Sequence, residues 1–204
     1  MAPTRDAEAT KARIFAAATA EFAAHGIAGA RIDRIAREAK ANKQLIYAYF
    51  GDKAELFRKV VQHTMLNLAA AVPPDPEDPD GYLDRLMAYH AAHPELLRLM
   101  LWEGLEYGSG GFEVQREEER RAYYAGKSAA FAAAQERGAI DRYLPPQHLV
   151  FIISALAGWP YAVSQFRNLL VGETEEDAAQ LRESLRAAVR RLTGTDGASG
   201  RDGA

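Results

Sequence analysis

No cysteine occurs among the 204 residues, which excludes disulfides, thiolate metal sites and cysteine nucleophiles together. Alternation of β-branched with polar residues is nearly absent as well, so little of the chain can form a half-buried sheet. No apolar run reaches the roughly 20 residues of a bilayer span; the longest extends only from Leu149 to Trp159. Arg5, Asp6, Glu8, Lys11 and Arg13 interrupt the first fifteen residues and leave no apolar core for a signal peptide. These absences predict a cytoplasmic chain with no membrane partner. Glycine and proline number only 16 and 9, and with 48% hydrophobic residues the composition is that of a packed chain rather than a disordered or fibrous one. The length suits one ordinary domain, or a small module joined to a larger one.

What remains is helical. Apolar residues recur three and four apart through alanine-rich stretches, so the expected fold is all-α. The first helix is expected from Thr4 to His25, burying Ile14, Ala17, Ala18 and Phe22, with Gly26 as its left-handed stop. Two short helices follow, then a longer one from Ala54 towards Ala71. Pro73, Pro74, Pro76 and Pro79, interleaved with acidic residues, form a connector. Further helices are expected over 82–92, 95–107 and 112–137. The helix over 146–170 is apolar nearly all round and should bend at Gly158 and Pro160, whereas that over 174–192 carries one apolar stripe. Two copies of this last pair should pack as a four-helix bundle and make a homodimer. The glycine-rich residues 194–204 are expected to be a disordered tail.

Charge divides the chain. Residues 1–59 hold 11 basic and 7 acidic side chains, a net of +4, whereas residues 60–204 hold 14 and 21, a net of −7. A basic module that meets an anionic polymer, joined to an acidic one that does not, fits this asymmetry. The expected domains are residues 1–58 and residues 59–193.

Within the basic module, RIDRIAREAKANKQLIYAYF (31–50) reads as two short helices around a four-residue turn. Ile32, Ile35, Ala36 and Ala39 give the first an apolar face, and Asn42 is a suitable N-cap for the second. There Ile46 and Phe50 should face inward. Lys43, Gln44, Tyr47 and Tyr49 then project from the start and flank, as a helix lying in a major groove requires.

Residues 10–60 resemble the DNA-binding domain of the TetR family of transcriptional repressors. The carriers are RIFAAATAEFAAHG, IDRIAREA and NKQLIYAYFGDKAELF, and the length and helical remainder agree. The resemblance implies that Lys43, Gln44 and Leu45 meet bases, that Tyr47 and Tyr49 touch phosphate or base edges, and that Lys53 grips phosphate. Three positions depart from the family pattern. Lys40 replaces the usual turn glycine, at a cost on the order of 1 kcal/mol if left-handed. Ala41 is smaller than the usual valine, and Arg31 replaces a hydroxyl cap with a phosphate-seeking cation.

Other signatures fail. Gly126-Lys127-Ser128 looks like the end of a phosphate-binding loop, but the required earlier glycine is Arg121 and no strand precedes it. His90 and His93 are spaced as metal ligands can be, yet His93 falls at the break before Pro94, and neither a metal nor another cofactor is expected. Serine-nucleophile motifs are missing, so an enzyme is not expected. The acidic half instead carries polar-tipped aromatics on apolar helices: Tyr89, His90, Trp102, Glu103, Glu106, Tyr107, Tyr123, Tyr124, Phe131, Gln135, Trp159 and Tyr161. Convergence of several on a cavity would make a small-molecule effector site. Glu103 or Glu106 facing inward would favour a cationic compound, and both facing solvent a neutral one. The expected function is a repressor that binds a palindromic operator in double-stranded DNA and is released by an effector; the alternative is a helical ligand-binding or interaction protein with little specific DNA binding.

Overall fold

The computed structural model describes residues 5–108 and 117–195. They form ten α-helices and, among the described residues, no strand: α1 (Arg5–Gly29), α2 (Ile32–Glu38), α3 (Lys43–Phe50), α4 (Lys53–Ala71), α5 (Pro79–Ala92), α6 (Pro94–Gly108), α7 (Glu117–Glu136), α8 (Pro146–Ala162), α9 (Ser164–Leu170) and α10 (Glu175–Thr193). Residues 112–116 of the expected seventh helix, and 196–204 of the expected tail, lie outside the described residues. No single helix among the described residues is long and apolar enough to cross a membrane.

Two compact units result: the described parts of Met1–Ala69 with Pro94–Gln115, and of Ala70–His93 with Arg116–Ala204. The sequence boundary expected after residue 58 follows chain order. Packing groups α6 with the N-terminal helices.

In the N-terminal unit, Ile14, Ala18 and Phe22 of α1 meet Ile35, Ile46, Phe57, Val61 and Leu99 in one core. Edge-to-face ring pairs, Phe22 with Phe57 at 5.2 Å and Phe15 with Phe50 at 5.0 Å, run through it. Gly26 breaks the helical path of α1 at φ 64°. A side chain there is barred twice, by the left-handed backbone and by the Trp102 indole, which stands 2.7 Å from where a Cβ would lie. The break frees the Ala23 carbonyl, which accepts the Arg98 Nε–H at 2.8 Å and the Trp102 indole N–H at 3.4 Å. Thus α6 caps α1.

In the C-terminal unit, α5 packs on α8 and α10, and α7 packs on α8. Tyr82, Leu83, Phe131, Leu149, Ile153 and Val189 are buried there. Helix α5 starts at Pro79, three residues before the expected Tyr82. Proline is tolerated in a first turn, and Asp78 supplies the cap by accepting the Gly81 N–H at 3.1 Å. The single helix expected over 146–170 is instead two. Pro160 continues inside α8, and the path turns at Val163 (φ −127°, ψ 56°), bending α9 away by 85°. Proline has no N–H for the preceding turn, which weakens the helix just before the break. Helix α10 begins with a reciprocal capping box between Thr174 and Asp177 and ends at the left-handed Gly194.

Candidate nucleic-acid interface and ligand site

Helices α2 and α3 are held by the rest of the N-terminal unit, chiefly α1. Glu21 on α1 accepts the Arg31 backbone N–H at 2.8 Å, and the Arg34 Nε–H at 2.8 and 3.0 Å. Burial pushes the Glu21 carboxyl up, but those hydrogen bonds and the Arg34 charge outweigh it and hold the group below its ordinary value. The far end of α2 is tied by the Arg13 Nε–H, which donates to the Ala39 carbonyl at 3.1 Å. Arg31 does not cap α2 with its side chain. It is exposed, and Glu21 fills the role of the missing hydroxyl.

The turn closes α2 by a Schellman pattern: the Ala41 N–H donates to the Ala36 carbonyl at 2.9 Å and the Lys40 N–H to that of Arg37 at 3.2 Å. This geometry needs a left-handed residue at Lys40, whose φ is 50°. Asn42 then caps α3, its Oδ1 accepting the Leu45 N–H at 2.7 Å. Ile46 and Phe50 are buried, as expected.

The opposite face of α3 presents Lys43, Gln44, Tyr47 and Ala48 to solvent, and Leu45 is half-buried beside them. Lys43 forms an ion pair with Asp33 of α2. Tyr47 is 48% exposed. Tyr49 is more enclosed: its ring meets Phe50 edge-on at 6.1 Å, with the Lys11 ammonium 5.3 Å from its centroid. At the start of α4 the Lys53 ammonium donates to the Ala30 carbonyl at 3.3 Å, next to Arg31. Two of its three donors remain for another acceptor. An exposed helix face flanked by these cations can lie against phosphates while offering side chains to base edges.

The expected effector residues fall into separate surroundings. Trp102 lies against Gly26 of α1, Glu103 on the same helix is buried, Glu106 is half-buried, and Tyr107 is exposed. Both glutamates have interaction partners. In the C-terminal unit Tyr124 is 42% exposed and Trp159 56%. His90 and Phe131 are buried, with Tyr89 half-buried beside His90 at a ring distance of 6.5 Å. His93 stacks on Tyr89 at 4.3 Å and His90 faces Tyr161 at 6.4 Å, so the two histidines serve different ring contacts. Gln135 bridges the carbonyls of Asp141 and Leu144, at 2.8 Å each.

The expected effector set omits Tyr82 and Lys127. Phe131 lies 6.2 Å from Tyr82, and the Lys127 ammonium lies 5.9 Å from the Tyr82 ring and 4.8 Å from that of Tyr123. Burial pushes the Tyr82 phenol up to about 12 and the Lys127 ammonium down. It also pushes His90 down to about 4, helped by the Lys127 charge, so His90 is neutral at pH 7. The available signal was position: Lys127 and Phe131, four apart on α7, share a face.

On the other side of α8, an apolar groove of about 400 Å³ runs between Phe151, Leu156 and Trp159, Val163 and Phe166 of the bend and α9, and Leu181 and Leu185 of α10. Phe151 is 74% exposed and Leu170 71%.

Comparison with known proteins adds to this geometry. A family model described as "Bacterial regulatory proteins, tetR family" matches residues 14–60, and one described as "Tetracyclin repressor-like, C-terminal domain" matches 78–191. The chain is 56% identical over 188 residues to the HTH-type transcriptional repressor SCO4008 of Streptomyces coelicolor, covering 92% of this chain and 97% of that protein. It is 34% identical over 111 residues to the HTH-type transcriptional repressor NicS of Pseudomonas putida, about half of each chain (51% and 52%). A crystal structure of SCO4942 of Streptomyces coelicolor, described as a transcriptional regulator, is similar with a TM-score of 0.76 at 33% identity, covering 90% of this chain and 98% of that one.

Proposed function

Because this chain belongs to the TetR family and is a DNA-binding transcriptional regulator, we propose that it is a cytoplasmic repressor that binds a palindromic operator as a dimer and releases it when a small molecule occupies the C-terminal helices. The observation that carries the reading is the exposed face of α3. Lys43, Gln44 and Tyr47 stand on it together, backed by a buried Ile46 and Phe50. Gln44 can address adenine, Lys43 guanine or phosphate, and Tyr47 phosphate. Leu45 completes the base-facing start of the helix, with Asn42 at its cap. Tyr49 flanks it, and Arg31 and Lys53 take phosphates at its edge.

The apolar groove supports the dimer. Exposed Phe151, Phe166 and Leu170 form a larger apolar surface than scattered single residues would. A second copy related by a two-fold axis covers it through residues 146–170 and 174–192 and sets the two reading helices about one DNA turn, roughly 34 Å, apart. Repression rather than activation follows the names of the curated relatives. Release by a ligand requires unequal affinity for the DNA-bound and free conformations, and operator DNA must then weaken the ligand by the same factor.

Selection from random duplexes tests the proposal. The recovered sites should read as inverted repeats with half-sites about one helical turn apart. Light scattering should give a dimer at micromolar concentration, and Leu185→Glu a monomer. A monomeric parent protein, or recovered sites without symmetry, would refute the dimeric operator complex.

A further inference from the structure

Lys127 is out of keeping with its helix. It shares a face of α7 with Phe131, which is fully buried, and is itself only 5% exposed. Its ammonium makes ring contacts with Tyr123 and Tyr82 but has no hydrogen-bond or ion-pair partner among the described residues. The carboxylates of the neighbouring α5 pair with arginines instead: Asp80 with Arg186 and Arg190, each at 2.9 Å, and Asp84 more loosely with Arg182 at 3.8 Å and Arg186 at 3.4 Å, its Oδ1 without a hydrogen bond. The two tyrosines whose rings face the ammonium keep buried hydroxyls without partners, and so does His90 its Nδ1, close enough to feel the Lys127 charge.

An ammonium on a buried side chain with no acceptor among the described residues is costly, and facing aromatic rings recover only part of that cost. The two phenols beside it can each donate a hydrogen bond and find no protein acceptor. An acceptor brought from outside could satisfy groups that the described residues leave unpaired. A negatively charged one would also neutralise the ammonium, through short charge-assisted bonds. A cation would face Lys127 as a like charge.

We infer that the C-terminal unit takes an organic anion, a carboxylate or an ionised phenol, whose charged group is held by the Lys127 ammonium and the hydroxyls of Tyr82 and Tyr123. This rests on the ligand-responsive reading above and narrows it to a chemical class. Phe131 and the tyrosine rings would meet the apolar body of such a compound, and the neutral His90 adds a hydrogen-bonding edge without adding charge.

The test uses the full chain with benzoate, phenylacetate and decanoate at millimolar concentration and pH 7.5, each beside the amide and the amine of the same skeleton. Melting temperature and release of a selected operator are read in parallel. At least one carboxylate should raise the melting temperature, with its amide and amine about tenfold weaker or inactive. Lys127→Met should raise the melting temperature of the unliganded protein, since it removes an unpaired buried charge, and should weaken the carboxylate about tenfold or more. Tyr123→Phe, which removes only a hydroxyl, should weaken it several-fold while the fold persists. A lower melting temperature for unliganded Lys127→Met would make the lysine a structural cation and overturn the inference. Amines that release the operator while no carboxylate binds would overturn the anion and leave the ligand-responsive reading standing. Carboxylates that bind through Lys127 without releasing the operator would support the inference and refute the switch.

Discussion

The two units differ in the polar atoms they bury without a partner. In the N-terminal unit, charged side chains are spent on backbone and on each other: Arg13 on Ala39, Arg34 on Glu21, Arg98 on Ala23, Lys53 on Ala30 and Lys59 on Phe50. In the C-terminal unit, Tyr82, Tyr123 and His90 keep buried polar atoms without partners, and Phe151, Phe166 and Leu170 line one exposed apolar groove. A unit whose bonds are already made is preorganised to present one fixed surface. A unit with unmet polar and apolar demands is built to acquire a guest and a partner, at some expense of its own stability.

The largest expected effect breaks the first half of that contrast. Gly26→Val must adopt a left-handed backbone and displace the Trp102 indole from a 2.7 Å contact, which together should cost about 2–5 kcal/mol in denaturant unfolding. The C-terminal helices should be less affected, and equal loss in both units would mean that they unfold as one.

Next comes acidification. His90 titrates at about 4 in the folded protein, against an ordinary 6.5. The unfolded chain therefore binds the extra proton first. The stability owed to a neutral His90 is fully present above about pH 6.5 and is lost as the pH falls towards 4, by on the order of 3 kcal/mol. His90→Asn should flatten the stability profile over that window. An unchanged slope would show His90 to be hydrated.

Smaller effects probe the reading head. Asn42→Ala removes the acceptor for the Leu45 N–H and should destabilise by about 1 kcal/mol while weakening operator binding. Lys40→Gly should relieve the strain at φ 50°, but greater freedom of the unfolded chain offsets part of the gain, leaving roughly 0.5 kcal/mol. A destabilised Lys40→Gly would mean that the lysine stem packs usefully in the turn.

How legible each unit was follows from the range of its interactions. Asn42 as a cap, Gly26 as a stop, and Ile46 with Phe50 as the inward pair could be read locally, because each depends on neighbours within one or two helical turns. So could the all-helical class. The Arg98 and Trp102 bonds to Ala23 join residues 75 and 79 apart in sequence, and no local pattern reports them; Trp102 was therefore grouped with the effector aromatics. Gly158 and Pro160 point to a bend earlier than the one observed, because proline disturbs the turn before it, while the path itself turns at Val163, three residues after Pro160. Lys127 stands four residues before Phe131 on one face of α7, but in sequence it is flanked by Gly126 and Ser128, the end of a phosphate loop that the chain does not complete.

The central claim is that α3 reads DNA while the cations at its edge only position it. Its most direct measurement is operator affinity as a function of salt for the parent protein, Lys43→Ala, Tyr47→Ala and Lys53→Ala. Lys53→Ala should weaken selected and random duplexes alike and reduce the slope of log affinity against log salt by roughly one. Lys43→Ala and Tyr47→Ala should weaken the selected site more than random DNA, without unfolding the protein. Unchanged affinity in all three variants would contradict the account.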